Sequence, residues 1–234
     1  MKLAIMQPYI FPYIGYFQLI NAVDKFVVYD NIQFTKKGWI NRNRILVNGK
    51  DEYFTLPLKK ASDYLHVDQR KLSDTFKTER DRILRRLQES YRKAPEFNAV
   101  YSLVESVFNT DEENLFDFIY QSLQAVCAYL DIKTEFVVSS TLPVNHELKS
   151  QDKVIAICKA LQATQYINPA GGVELYSKDV FKQNNIELSF IRSSSFEYQQ
   201  FKNEFIPWLS IIDVMMFNSK EKVGEYIQTG YSII

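Results

Sequence analysis

Residues 4–20 read AIMQPYIFPYIGYFQLI, and this stretch decides the fold class of the chain. A short apolar strand at residues 2–6 enters a turn that holds Pro8 and Pro12, and an apolar helix continues past Gly15. Each proline fixes its own φ and restrains the residue before it, so the turn is stiff. Because a strand that leads through a turn into a helix can expose unpaired amides, the stretch predicts an anion or nucleotide site.

Four residues of this opening turn are predicted to shape its phosphate-facing surface: Gln7, Tyr13, Gly15 and Tyr16. Gly15 carries no side chain where a ligand or another backbone segment comes close. The alternative is that the turn is a buried aromatic connection that only packs.

A second cluster of polar, basic and aromatic residues follows the buried strand at 26–30, FVVYD. Its predicted site residues are Asp30, Gln33, Lys36, Lys37, Trp39, Asn41 and Arg42. Cations neutralise phosphate and a tryptophan face stacks on a ring, so the cluster suits a ligand with both features. Asp30, as a general base, and Lys37, as a phosphate-neutralising cation, are the candidate catalytic residues. A solvated basic loop with one packing tryptophan, following a strand-end acid, is the alternative.

The third candidate site segment is Asn168-Pro169-Ala170-Gly171-Gly172, which ends a strand at 164–168 and precedes a helix at 173–185. We expect Asn168, Gly171 and Gly172 to line the wall opposite the basic cluster, although an ordinary connecting turn explains the same residues. Ligands of open parallel sheets bind outside the carboxyl ends of the strands. The three segments are therefore expected to meet in one cleft.

The rest of the chain alternates strands and helices. Asn48-Gly49 favours a type I′ turn and predicts a hairpin over 43–58. Strands at 134–140, 164–168 and 186–192, separated by single helices, predict βαβ units and a parallel sheet. Further helices are expected at 76–92, at 95–108, from Asp111 or Asn114 to Leu130, from Pro207 to Phe217, and at 220–227. We predict an α/β fold: one domain over 1–234, with a three-layer Rossmann-like parallel sheet, a β-hairpin excursion and a helical insertion at about 70–130.

Composition excludes several classes of protein. The formal net charge is zero, with 28 basic and 28 acidic residues, so no nucleic acid partner is expected. No apolar run reaches the ~18 residues of a membrane span, and no secretory signal is visible, so the expected location is the cytoplasm. Cys127 and Cys158 lie in apolar helical contexts typical of buried thiols. His66 and His146 lie at no metal-binding spacing, and His146 is more simply an exposed loop residue than an acid or base.

Four motifs in this order resemble the WbqC-like protein family over residues 1 to about 218: MQPYIFPYIGYFQLI, DNIQFTKKGWINRNRIL, INPAGGVELY and FIPWLSIIDVMMFN. The resemblance implies an association with bacterial O-antigen and other surface-polysaccharide gene clusters. It also implies a sugar-modifying activity, such as the addition of an acyl or aminoacyl group to a nucleotide-activated amino sugar. Neither a cofactor nor an oligomeric state follows from it.

A second resemblance concerns the opening turn alone. Its layout is similar to the phosphate-binding turn of the nucleotidylyltransferase superfamily, where a proline precedes His-x-Gly-His and a helix. In this chain the matching residues are Tyr13-Ile14-Gly15-Tyr16, so the glycine is present and both histidines are replaced by tyrosine. The leading hypothesis is therefore a transferase acting on a nucleotide-linked sugar. An ATP-using adenylating enzyme or ligase and a non-catalytic nucleotide-sugar binding protein are the alternatives.

Overall fold

A six-stranded sheet forms the centre of the computed structural model, which describes residues 1–234. Numbered along the chain, the strands of this sheet are β1 Lys2–Met6, β2 Lys25–Val28, β5 Glu135–Val138, β6 Gln165–Pro169, β7 Glu187–Ser193 and β8 Tyr231–Ile233. A separate hairpin consists of β3 Arg42–Val47 and β4 Lys50–Thr55.

The strands of the large sheet lie in the order β5-β2-β1-β6-β7-β8. All neighbours pair in parallel except β7 and β8, which are antiparallel. Counted in chain order within the sheet, this arrangement is 3-2-1-4-5-6, the order of the doubly wound fold. The strand order reverses between β1 and β6, where Lys2 pairs with Gln165. This reversal fixes where an open α/β sheet leaves a crevice at its carboxyl edge.

Helices cover both faces of the sheet, so the predicted α/β class is confirmed. They are α1 Ile14–Asn21, α2 Phe76–Tyr91, α3 Phe97–Phe108, α4 Leu115–Tyr129, α5 Ser150–Ala160, α6 Lys178–Gln183, α7 Ile211–Phe217 and α8 Lys220–Thr229. Side chains of α1 to α4, α7 and α8 join one face of the sheet in a core of 47 buried residues. Side chains of α5 and α6 pack on the other face in a core of 13.

The three consecutive helices α2, α3 and α4 follow the hairpin and precede β5 along the chain, and their buried side chains belong to the larger core. Phe118 contacts both Phe76 and Phe108, with ring centroids 5.2 and 5.7 Å apart. Cys127 on α4 and Cys158 on α5 are buried free thiols, as predicted, and burial raises the pKa of each to about 12. A thiol in that state is a packing group rather than a nucleophile.

Local turn chemistry accounts for the hairpin. Asn48 and Gly49 have φ values of 51° and 76°, the pair of positive angles that a type I′ turn requires. The hairpin prediction is therefore confirmed.

The structure differs from the sequence prediction at three places near the end of the chain. The helix expected from Pro207 begins at Ile211, because Trp208 has φ 61° and the Ser210 side chain caps the helix. The segment 173–185 is split into a 3₁₀ turn at Ala170–Leu175 and the short helix α6. Strand β8 is not predicted by the sequence, since three residues carry too little alternation to be recognised. No helix has the length and apolar character needed to cross a membrane.

Candidate functional site

A cavity of about 890 Å³ lies at the point where the strand order reverses. We call it the main cleft. Gln7, next to the carboxyl end of β1, and Asn168, near that of β6, both line it. Small-molecule sites typically occupy about 300–1,000 Å³, so the main cleft has the size and the position expected of a ligand site.

Segments from five parts of the chain contribute side chains to the main cleft. The polar, glycine and aromatic residues among them are Gln7, Tyr9, Tyr29, Asn31, Gln33, Tyr64, His66, His146, Glu147, Lys149, Ser150, Tyr166, Asn168, Gly171, Gly172 and Tyr176. The ends of β1, β2 and β6 therefore meet in one cleft, as the sequence predicts. Burial raises the pKa of Tyr29, as do the neighbouring Tyr176 and Asp30, so its phenol is neutral and able to donate a hydrogen bond.

The turn after β6 forms one wall of the main cleft. Asn168 is buried and accepts a hydrogen bond from Tyr166 Oη at 3.1 Å through its side-chain oxygen. A Cβ on Gly172 would overlap Asn168 Nδ2, whereas a Cβ on Gly171 would meet no heavy atom within 4 Å. Gly172 therefore gives Asn168 its room, and Gly171 leaves the cleft wall open to a ligand.

The N-terminus of α5 opens on the main cleft. Ser150, its first residue, and Val154 line the cleft, and no side chain caps the helix. The amides of a helix N-terminus carry partial positive charge, and Lys149, an exposed residue that also lines the cleft, directly precedes this helix. Ser150 has φ 47°, an uncommon angle for a residue other than glycine. The helix amides and Lys149 suit an anionic group, and Glu147, which also lines the cleft, opposes it.

His146, in the loop before α5, is exposed and held by three hydrogen-bond partners. Its Nδ1 lies 2.8 Å from Asn31 Nδ2 and 2.7 Å from Lys153 Nζ, and its Nε2 lies 3.2 Å from the Leu142 carbonyl. Asn31 and Lys153 are donors, so the tautomer that fits carries its proton on Nε2 and donates it to Leu142. Ser139 Oγ, which lies 3.0 Å from Asn31 Oδ1, fixes the orientation of that amide.

Lys153 is 1% exposed, which is unusual for a lysine. Burial lowers its pKa, and the charges of Glu147 and Asp30 oppose that change. Asp30 itself is buried behind the cleft wall, and its Oδ1 accepts a hydrogen bond from the Ser140 amide at 2.9 Å. The charge of Asp30 also adds to the effect of burial in raising the pKa of Asp68 and of Asp117. Asp30 and Lys153 are thus buried charged residues next to the cleft-lining residues Asn31 and His146.

The predicted phosphate turn at the start of the chain lies outside the main cleft, except for Gln7. Tyr16 is fully enclosed and donates a hydrogen bond to the Gln7 carbonyl at 2.8 Å. The ring of Tyr13 lies over Gly15, where a Cβ would overlap the ring and approach Ser193 Oγ to 2.5 Å. The space that the sequence assigned to a ligand at Gly15 is filled by the protein.

The predicted basic cluster is also separate from the main cleft, apart from Gln33. Lys36 forms an exposed ion pair with Asp63 at 2.7 Å, and Lys37 is exposed. Arg42 donates to the carbonyls of Gly38 and Lys37. Trp39 stacks on Tyr53 with ring centroids 6.0 Å apart. Asn41 Nδ2 donates to the Leu56 carbonyl at 2.8 Å. Trp39, Asn41 and Arg42 are therefore engaged around the hairpin, and neither lysine lines the main cleft.

Several cleft residues are not singled out by the sequence. Asn31 stands beside Asp30 at the end of β2, and this position is the signal that could have identified it. Lys153 could not be found in this way, because a lysine in an amphipathic helix normally lies on the solvated face. Lys149 precedes a helix whose N-terminus carries no motif that assigns it to the site. No group of three or more His, Cys, Asp and Glu side chains is arranged to hold a metal ion.

Comparison with known proteins agrees with the motif resemblance. Residues 7–225 match the WbqC-like protein family. The uncharacterized protein Rv1507c of Mycobacterium tuberculosis is 27% identical over 231 residues, which cover 97% of each chain. No solved structure is significantly similar to this chain.

Proposed function

The chain belongs to the WbqC-like protein family, and we propose that it is a transferase that binds a nucleotide-activated amino sugar in the main cleft. The transferred group would be an acyl or aminoacyl group, and the pathway would be bacterial surface-polysaccharide biosynthesis, acting in the cytoplasm. The observation that carries the proposal is the position of the cleft. It lies where the doubly wound sheet reverses its strand order, which is where such folds bind nucleotides.

The end of the cleft at α5 gives the ligand its direction. In this proposal the diphosphate lies at the N-terminus of α5 beside Lys149, because helix amides and an ammonium both stabilise phosphate oxygens. Gly171 permits close approach on the facing wall. The neutral amides of Gln7, Asn31 and Asn168 supply hydrogen-bond donors and acceptors for hydroxyl groups of the sugar.

A second candidate function is nucleotide-sugar binding without catalysis. One observation favours it: the groups most suited to accept a proton are already engaged. Both ring nitrogens of His146 are within hydrogen-bonding distance of protein groups, and Asp30 is buried against the Ser140 amide. Acylation of an amine requires a group that takes up its proton. A transferase would therefore have to free one of these groups when substrate binds.

The adenylating alternative finds less support in the geometry. The turn that resembles the nucleotidylyltransferase motif holds Gly15 under the Tyr13 ring and buries Tyr16. Neither tyrosine reaches the main cleft, so this turn offers no phosphate cradle there.

Calorimetric titration with UDP-, GDP- and dTDP-linked hexosamines tests the proposed ligand class. Lys149→Ala is expected to weaken binding by about 1–2 kcal/mol, the scale of one charge-assisted hydrogen bond. Lys36→Ala is the matched control, because Lys36 lies outside the cleft in an exposed ion pair. Absence of binding for all three classes, or equal affinity of both variants, contradicts the proposal.

Mass spectrometry then separates a transferase from a binding protein. The chain is incubated with the nucleotide sugar that binds and with acyl-coenzyme A or acyl-carrier donors. A transferase replaces one hydrogen of the amine with the acyl group and releases the donor thiol, so the amino sugar gains the mass of the acyl group less one hydrogen. A binding protein leaves the mass unchanged at saturating ligand.

A further inference from the structure

Both tryptophans of the chain lie on one surface beside the main cleft. Trp39, Trp208, Tyr13 and Tyr9 line a cavity of about 210 Å³. A second cavity of about 360 Å³ shares Tyr13 and Trp208 with the first. We call the two cavities together the aromatic groove. Tyr9 also lines the main cleft, so the aromatic groove and the main cleft adjoin.

Trp208 is an exposed residue whose unfavourable backbone conformation is held by hydrogen bonds. It is 55% exposed and has φ 61°, an angle that bulky residues rarely adopt. Arg44 Nη2 donates to the Trp208 carbonyl at 3.2 Å. Two residues further along the chain, the Ser210 amide donates to the Arg44 carbonyl at 2.9 Å. Ser210 Oγ also donates to the Phe11 carbonyl at 2.7 Å. Backbone strain that the surroundings impose on an exposed aromatic residue is typical of a ligand-binding position.

The other rings of the groove are held in the same way. Trp39 is 39% exposed, and Tyr53 and the Arg44 guanidinium flank it, the latter at 5.6 Å from the ring centroid. The ring centroids of Tyr13 and Trp208 are 5.9 Å apart at an interplanar angle of 69°. The groove therefore presents fixed aromatic surfaces to solvent along its length.

The polar groups of the groove indicate the kind of ligand. In the first cavity Asn43 Nδ2 already donates to the carbonyls of Ile10 and Phe11, and Arg44 is bound to Asp51 and the Trp208 carbonyl. Asn43 Nδ2 therefore has no hydrogen left for a ligand, and both terminal nitrogens of Arg44 already contact protein groups, which leaves few groups in this cavity to read the edge of a nucleobase. The second cavity adds Ser194, Ser195 and Glu197, which suit hydroxyl groups.

We propose that the aromatic groove binds a carbohydrate chain of at least two pyranose rings. A pyranose has an apolar C–H face that packs on an aromatic ring and a hydroxyl edge that stays in water or meets polar side chains. The two cavities on either side of Trp208 take successive rings, and Tyr9 connects the groove to the cleft that holds the nucleotide sugar. This assignment rests on the proposed function, since it makes the groove the site of a second, glycan substrate of the same reaction.

Intrinsic fluorescence tests the groove alone, because Trp39 and Trp208 are the two tryptophans of the chain. The protein is titrated with maltotriose, chitotriose and trigalacturonic acid, which represent neutral, acetamido and acidic chains, and with uridine. We expect saturable quenching by at least one trisaccharide and none by uridine. Trp208→Ala should weaken trisaccharide binding, measured by calorimetry, about tenfold through loss of one stacking surface.

Trp208→Gly guards against a loss of binding that reflects misfolding. Glycine adopts the φ of this position without strain, so this variant is expected to fold with a native circular dichroism spectrum and still bind trisaccharide weakly. Lys149→Ala should keep full trisaccharide affinity while it loses nucleotide-sugar affinity, so the two proposals fail separately. No response to any trisaccharide, unchanged affinity in a folded Trp208→Gly protein, or stronger quenching of the tryptophans by uridine than by every trisaccharide would overturn the assignment.

Discussion

Two turns of this protein have the same sequence pattern but differ in what fills the space beside their glycines. The turn after β1 and the turn after β6 each follow the end of a parallel strand and lead through proline and glycine toward a helical segment. Beside Gly15 in the first turn lie the Tyr13 ring and Ser193, whereas Gly171 in the second faces open space. A strand–turn–helix pattern with a glycine therefore predicts that another group lies close to the backbone of the turn. The surrounding side chains determine whether that group is part of the protein or of a ligand.

The start of α7 and the residue before it are bonded to the first turn. The Phe11 carbonyl accepts from Ser210 Oγ, and the Pro12 carbonyl accepts from the Ile211 amide at 2.9 Å. Asp213, a buried residue in the first helical turn of α7, accepts hydrogen bonds from Tyr91 Oη at 2.7 Å, Tyr198 Oη at 2.6 Å and Gln200 Nε2 at 2.7 Å. Nothing comparable covers Gly171.

The largest expected effect comes from removing the Asp213 carboxyl group. Asp213→Ala should lower the free energy of unfolding by about 3 kcal/mol, because three buried donors lose their acceptor. Amide hydrogen exchange should accelerate at residues 8–13 and stay unchanged at 169–176, and urea unfolding measures the stability. Equal acceleration in both turns would show that the contact with α7 is not what distinguishes them.

Asp213→Asn separates the charge of this carboxyl group from its shape. Burial raises the pKa of Asp213 from 3.8, an effect that its three hydrogen bonds partly oppose. For a carboxyl group with a raised pKa in the folded state, the stabilising contribution is complete below the unfolded value and is lost as pH rises through the folded one. The stability advantage of wild type over Asp213→Asn should therefore shrink as pH rises above 3.8. A constant difference in urea midpoint would contradict this assignment.

Gly15→Ala is expected to have the next largest effect. The added Cβ overlaps the Tyr13 ring and crowds Ser193, and overpacking of this kind costs about 1–3 kcal/mol. The higher helix propensity of alanine offsets roughly 1 kcal/mol of that loss. Thermal unfolding should show a lower melting temperature, while calorimetry should show unchanged nucleotide-sugar affinity. A sharp fall in affinity with unchanged stability would restore the opening turn as a phosphate site.

The smallest expected effects come from the second turn and are seen in binding more than in stability. Gly172→Ala displaces the Asn168 side chain and should weaken nucleotide-sugar binding by about 1 kcal/mol, the scale of one hydrogen bond. Its neighbour Gly171 is the matched control for stability: Gly171→Ala has open space and should unfold at the wild-type urea midpoint. If Gly172→Ala binds as tightly as wild type, Asn168 does not contact the ligand.

The sequence predicted those parts of the fold that depend on neighbours along the chain. The hairpin follows from the positive φ that Asn48 and Gly49 tolerate, and the parallel sheet follows from strands separated by single helices. The start of α7 was misplaced because the φ of Trp208 is imposed by Arg44 and Ser210, which are remote in sequence from each other. No local rule contains that contact.

For the candidate site, too, the sequence predicts only the residues whose position follows from nearby strands. Gln7, Gln33, Asn168, Gly171 and Gly172 line the cleft because the carboxyl ends of parallel strands share one edge. The cations were misplaced, because Lys36 and Lys37 are local to a loop whose direction is set by the hairpin that follows. Lys149, which lines the cleft, and Lys153, which contacts the cleft residue His146, both lie at the start of a helix more than 100 residues later. The hydrogen bond between Asn31 and His146, which are 115 residues apart, joins the two segments. Sequence pattern carries no information on such a juxtaposition.

The pairing of β1 with β6 also sets the order in which this protein can be assembled. Lys2 is synthesised long before its partner Gln165, which follows only after β2, the hairpin, β5 and four further helices. During translation, at about 5–20 residues per second, one edge of β1 therefore remains unpaired until β6 has been synthesised. Contacts of such long sequence separation are slow to form because loop closure must precede them. The main cleft, which lies on this seam, is expected to appear late, when the second half of the sheet docks on the first.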